Sequence, residues 1–118
     1  MIDDDRPLVQ SIIGLLESLG YVATGFASAE DFLKSPDLLR YACLILDVRM
    51  PSMGGLELQR RLLSENYRTP IIFMTADGDQ DISAEALRRG AVAFLRKPFD
   101  QDSLLGALRS ALSHNDAV

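Results

Sequence analysis

The chain has 118 residues, 47% of them apolar and 25% charged, enough for one hydrophobic core without disulfide or metal staples. Its net charge of −5 argues against direct nucleic-acid contact, which needs a basic footprint, and no apolar run approaches the ~20 residues of a membrane span. The lone Cys43 cannot form an internal disulfide; with an acidic rather than a basic start, it leads us to expect a cytoplasmic protein.

Strand and helix signals alternate along the chain, with no repeat, low-complexity segment or Pro/Gly-rich linker to mark a domain boundary. Met1-Ile2 begins a strand that stops at Asp3-Asp4-Asp5. A helix is predicted from Arg6, with Asp5 as N-cap and Pro7 in the first turn, where its missing N–H does little harm. Leu8, Ile12, Leu16 and Leu19 line one face of it, and Gly20 ends it. Tyr21–Phe26 reads as a strand. Ser28 and Asp31 form a capping pattern for a short helix that reaches Lys34 and is closed by Pro36. Leu44-Ile45-Leu46 is a strand stopped by Asp47, and a loop rich in turn formers runs from Val48 to Gly55. A helix from Leu56 to Glu65 turns Arg60 and Arg61 outward. Thr69-Pro70 then leads into the strand Ile71–Met74, stopped by Thr75. A loop holding Gly78 precedes a helix from Ile82 to Arg89, with Gly90 as its stop. Ala93-Phe94-Leu95 is the last strand, stopped by Arg96-Lys97-Pro98. A final helix, Asp102 to Ser113, turns Leu104, Leu108 and Leu112 inward, and 114–118 is a fraying tail.

Short apolar runs bounded by turn signals are buried strands of a parallel sheet, whose carboxyl ends open into one crevice. Alternation with helices gives right-handed βαβ units with helices on both faces. Carboxylates, one hydroxyl and one ammonium therefore converge. Asp3, Asp4 and Asp47, crowded without a cation, would repel one another and raise at least one pKa. Such a cluster suits Mg²⁺, which prefers oxygen ligands and also holds phosphate. A carboxylate can accept a phosphoryl group covalently, and Asp47, on the middle strand, is the best-placed nucleophile. The first strand is the oddity: two residues are too few for a central buried strand.

Ile-Asp-Asp-Asp, Leu-Asp-Val-Arg-Met-Pro, Met-Thr-Ala and Leu-Arg-Lys-Pro-Phe, in that order and spacing, resemble the receiver domain of two-component response regulators over essentially the whole chain. The stretches from Asp47 to Gly55 and from Gly90 to Phe99 look most like the FixJ-like subgroup. The resemblance implies a doubly wound five-stranded parallel sheet of order 2-1-3-4-5, a single receiver domain over 1–118 with its first strand truncated. It further implies a phosphorylation-activated signalling switch rather than an enzyme. Asp47 would take the phosphoryl group from a sensor histidine kinase. Asp4 and Asp47 would bind Mg²⁺ directly, Asp3 through water and Arg49 through its carbonyl. Lys97, the Thr75 hydroxyl and the Ala76 N–H would hold phosphoryl oxygens.

By the same resemblance Phe94 is an aromatic switch, a plain core Phe being the other reading, and Lys97-Pro98 is a cis peptide. The output would be a phosphorylation-dependent dimer or an attached output domain, through the face built by Ile82–Arg89, Phe94 and the final helix. His114 is expected to be inert. Two other classes fit poorly. Haloacid-dehalogenase-type phosphatases need an Asp where Arg49 stands, and neither Gly-rich nucleotide-binding pattern occurs.

Overall fold

The computed structural model describes residues 1–35, 41–50, 53–75, 84, 87–97 and 99–116, and the structural statements below concern these. Three strands form the parallel sheet: β1 (Leu44–Asp47), β2 (Ile71–Thr75) and β3 (Ala93–Arg96), in that spatial order. Leu46 stands opposite Phe73, which stands opposite Phe94. The chain start is bridged on both sides, Ile2 pairing in parallel with Leu46 and with Phe26. Across the molecule the order is therefore Phe26, Ile2, β1, β2, β3. The expected order 2-1-3-4-5 is present, with its first two members reduced to single bridges. Tyr21–Phe26 accordingly falls short of the predicted strand. Only Met1 and Ile2 stand beside it, and a ladder cannot outrun its partner.

Four helices cover the sheet: α1 (Arg6–Ser18), α2 (Ala29–Leu33), α3 (Gly55–Ser64) and α4 (Gln101–Asp116). Alternation along the strands splits the core in two. Leu44, Leu46, Ile71 and Phe73 join Phe32 of α2 with Leu58 and Leu62 of α3 on one face. Ile45, Ile72, Met74 and Leu95 join Ile12 and Leu16 of α1 with Leu104, Leu108 and Ala111 of α4 on the other. That is the doubly wound arrangement. Both β1 and β2 are buried at every residue, which explains why their sequences read as unbroken apolar runs.

Local signals set the helix ends. Asp5 Oδ1 accepts the Leu8 N–H at 3.2 Å, and Ser28 Oγ accepts the Asp31 N–H at 3.1 Å, as the capping patterns predict. After α1, Gly20 has φ +93°, and the Gly20 and Tyr21 N–H groups bond the Glu17 and Leu16 carbonyls. Asn66 takes the same left-handed position after α3, with φ 66°. Leu19 departs from expectation: it is 44% exposed, because the helix has already ended there, and Val9 is buried on the inward face instead. The final helix starts at Gln101 and runs on to Asp116, past the expected end at Ser113. Asp100 caps it, accepting the Ser103 N–H at 2.7 Å. The expected helix at 82–89 lies mostly outside the described residues; within it Ala84, Leu87 and Arg88 are helical, and Gly90 follows with φ +100°. No helix among the described residues is long and apolar enough to cross a membrane.

Candidate functional site

The strand ends bring the expected acids together. β1 ends at Asp47, and the Ile2 bridge delivers Asp3 and Asp4 alongside it. One carboxylate oxygen each from Asp3, Asp4 and Asp47 lie within 4.8 Å of one another. Asp3 is fully buried, Asp47 nearly so, and Asp4 exposed, so the cluster grades from core to solvent.

Lys97 closes the site from the β3 side. Its Nζ donates to Asp3 Oδ2 at 2.8 Å and to Asp47 Oδ2 at 3.2 Å. Its backbone N–H donates to the Thr75 carbonyl at 2.7 Å, which ties the start of the lysine side chain to the end of β2. Thr75 itself is buried at that strand end. The remaining acceptor atoms are also engaged: Asp3 Oδ1 takes the Asp5 N–H at 3.0 Å, and Asp47 Oδ1 takes the Arg49 N–H at 3.2 Å. Ala76 and Pro98 lie outside the described residues, so neither the amide expected to hold phosphate nor the expected cis peptide is described. Phe94 is half-buried and stacks on Phe73 with ring centroids 5.7 Å apart, against the core cluster under α2 and α3.

Two features of the site escaped the sequence reading. One is that Lys97 bridges two of the acids, where only phosphate contact was expected. The other is Gly54-Gly55. A Cβ on Gly55 would sit 2.5 Å from the Asp47 carbonyl oxygen and 2.9 Å from the Phe73 ring, so only glycine lets the first turn of α3 pass this close to the acid-bearing strand end. The doubled glycine at the close of a loop was the available signal.

The electrostatics are those of an unsaturated anionic pocket. Burial first, and then the charge of Asp3, push the Asp47 carboxyl above its ordinary range; the Arg49 N–H and Lys97 pull the other way and do not cancel the rise. Burial acts to lower the Lys97 ammonium, but the hydrogen bond and charge of Asp3, with the charge of Asp47, outweigh it and raise it. Three carboxyl groups share one ammonium, so acidic groups outnumber cations in the site. Hard oxygen donors, a charge deficit and one solvent-facing acid are what a divalent cation requires, so this donor set fits Mg²⁺.

Comparison with known proteins agrees with this geometry. The family model described as "Response regulator receiver domain" matches residues 1–109. The response regulator protein TmoT of Ectopseudomonas mendocina is 42% identical over 112 residues, covering 95% of this chain and 51% of that protein. The transcriptional regulatory protein FixJ of Bradyrhizobium diazoefficiens is 40% identical, covering 95% of this chain and 55% of that protein. The crystal structure of FixJ-N superimposes with a TM-score of 0.87 at 35% identity, over 96% of this chain and 90% of the other. The chain belongs to the receiver domains of two-component response regulators. It spans about half the length of the curated relatives it matches.

Proposed function

We propose that Asp47 is the phosphoryl acceptor of a cytoplasmic signalling switch, loaded by a sensor histidine kinase, with Thr75 and Lys97 as the other reacting-site groups. One observation carries this reading: a buried carboxylate at the end of the middle strand, bonded to Lys97 and crowded by two further acids. An Asp47 oxygen attacks the phosphorus of a phosphohistidine as the P–N bond breaks. The electron pair stays on the imidazole, which takes up a proton, and an acyl phosphate is left on Asp47. In phosphoryl transfer the protein chiefly positions groups and offsets charge on the equatorial oxygens. Lys97 is suited to this because it can leave Asp47 Oδ2 for a phosphoryl oxygen while Asp3 Oδ2 still anchors it. The Thr75 hydroxyl and the Ala76 N–H would take a second oxygen.

Asp3, Asp4, Asp47 and the Arg49 carbonyl would hold Mg²⁺, with Asp3 acting through water. When bound, it supplies the positive charge that the three acids lack and that the transferring group needs. Because such a site holds a negative group far better with Thr75 drawn onto it, phosphorylation gives two states a differential contact and so shifts their balance. The output is then a dimer of this domain, or altered binding to an attached output domain, through the face that includes Phe94 and α4.

The deciding experiment is incubation with a small acyl-phosphate donor and Mg²⁺, read by intact-protein mass. The parent should gain one phosphate, and Asp47→Asn should gain none. Undiminished labelling of Asp47→Asn would refute the assignment. Metal removal should suppress labelling of the parent as well.

A further inference from the structure

Away from the acids, where β2 and β3 begin, a cleft of about 410 Å³ opens beside α3. Gln59, Leu62 and Leu63 of α3 form one wall, and Pro70 and Ile71, entering β2, form another. Arg89 and Gly90, in the turn before β3, complete it. Backbone bonds fix all three pieces. The Tyr67 N–H donates to Leu62 O at 2.9 Å, the Gly90 N–H to Leu87 O at 3.1 Å, and the Val92 N–H to Ile71 O at 2.8 Å. The cleft is thus shaped before anything enters it. Its charge is the reverse of the molecule's: the chain carries −5 overall, yet the described residues lining the cleft include Arg68 and Arg89 and no acid. Arg68 is exposed, whereas Arg89 Nη1 is wholly buried. Gln59, 1% exposed, puts an amide on a buried helix face otherwise built of Gly55, Leu58 and Leu62. Polar groups taken out of water are costly where apolar ones would pack as well, and a few of them set in apolar walls are the mark of a ligand site.

We propose that this cleft binds a small phosphomonoester, its phosphoryl group held by Arg68 and Arg89 and its apolar body laid on Leu62, Leu63 and Pro70. Size, charge and shape each narrow the class. The volume lies within the ~300–1,000 Å³ of small-ligand sites and leaves room for an organic body beyond the anion. Two guanidinium groups match a dianion, and their planar forks bond phosphate oxygens in pairs. A lone carboxylate would answer to only one of them. With Nη1 shielded from water, Arg89 meets an anion at a lower effective dielectric, where charge-assisted bonds are stronger. Leu63, 38% exposed, is apolar surface that the body of the ligand would cover. None of Asp3, Asp4 and Asp47 lines this cleft, so the two sites are separate.

The test is an NMR titration of the backbone amides in EDTA, with phenyl phosphate as the probe and inorganic phosphate and phenol as controls. Saturable shifts should gather at Leu63, Arg68 and Gly90, with half-saturation below about 1 mM, a modest affinity for so small a ligand. Inorganic phosphate and phenol should each bind at least tenfold more weakly. Arg68→Gln should weaken phenyl phosphate at least fivefold, and Arg68→Lys less, since the charge returns without the fork. Arg68 is exposed, so both variants should fold as the parent does. Arg89→Gln should weaken binding more than Arg68→Gln; if it fails to fold, the Arg68 variants decide. Phenol binding as tightly as phenyl phosphate would leave the cleft merely apolar and overturn the proposal. Equal binding of inorganic phosphate, parental affinity in Arg68→Gln, or shifts confined to Asp3, Asp4 and Asp47 would overturn it too. No readout here depends on phosphorylation, so the outcome stands apart from the assignment of Asp47.

Discussion

The two acid-bearing strand ends are held very differently. Asp47 ends a four-residue strand that pairs with β2 along its length and is buried at every position. Asp3 follows a single bridged residue, Ile2, and its side chain is fixed by Lys97 and the Asp5 N–H. Both carboxylates share Lys97, but a ladder fixes the Asp47 backbone, whereas Asp3 rests on single bridges and leans more on its side-chain bonds. A site built this way has one rigid half, which carries the nucleophile, and one half whose order depends on its ion pair. Cations should therefore act mostly on the half that Ile2 supports.

The contrast is broken most forcefully from beneath. Ile2 and Leu46 are both fully buried in the same cluster, one under each acid, and truncating either to alanine should destabilise the fold by ~2–5 kcal/mol. Their effects on the site should differ. Ile2→Ala should also weaken Mg²⁺ binding about tenfold or more, because Asp3 and Asp4 rest on single bridges at Ile2 and one Asp3 N–H bond to the Phe26 carbonyl, not on a ladder, and lose the buried side chain that seats them. Leu46→Ala should leave it within a factor of about two, since the β1–β2 ladder still holds Asp47. Urea unfolding with a metal titration on each variant measures both; equal loss of metal affinity would dissolve the distinction.

Metal itself should stabilise the parent by about 1.4 kcal/mol when free Mg²⁺ is tenfold above its Kd. Asp4→Ala removes the solvent-facing acid and should erase most of that gain while scarcely changing metal-free stability, Asp4 being exposed. A thermal-melt series in EDTA and in rising Mg²⁺ tests this, and an unchanged metal response in Asp4→Ala would exclude it as a ligand.

Without metal, Asp47 opposes folding wherever it is ionised. Its folded pKa stands above the ordinary 3.8, so its protonated form is the one the fold prefers. Stability present below 3.8 is lost as pH climbs through the raised folded value. Asp47→Asn should accordingly be more stable than the parent at pH 7 in EDTA, by on the order of 1 kcal/mol, and the gap should close on acidification. Lys97 has the same sign for its own reason: its raised pKa keeps its contribution intact until alkaline pH deprotonates it. Unfolding curves from pH 4 to 8 check the first claim, and a gap independent of pH would contradict it.

The sequence made the rigid half legible and the ordered-by-charge half only partly so. Asp47, Thr75 and Lys97 end apolar runs, and such runs reveal themselves because both faces of the sheet are covered. Asp3 and Asp4 were found by the same rule from only two residues. What a run cannot reveal is whether its neighbour pairs with it, so Tyr21–Phe26 read as a strand although only Phe26 is bridged. Nor can periodicity say which charged side chain meets which. The Lys97 bridge joins residues 94 positions apart, and only the fold brings them together. Gln59, buried in α3, was missed because a polar residue on a helix reads as solvent-facing by default.

The smallest expected effect concerns the lifetime of the acyl phosphate and the rim of the rigid half. Arg49 is exposed two residues beyond Asp47, and its N–H already bonds Asp47 Oδ1 at 3.2 Å, so its side chain springs from the mouth of the site. Asp77, two residues beyond Thr75, lies outside the described residues and is the matching position on the neighbouring strand end. Hydrolysis needs a water in line with the bond from phosphorus to the Asp47 oxygen, and bulk or charge at the mouth decides how often one arrives. Arg49→Ala should change the decay rate of phosphorylated protein about threefold, a barrier change of roughly 0.65 kcal/mol. Stability should stay within about 0.5 kcal/mol, as for most exposed substitutions. Asp77→Ala should act on the same step. Decay followed by mass spectrometry after donor removal decides it: parental rates in both variants would place the gate with Lys97 and the strand ends themselves.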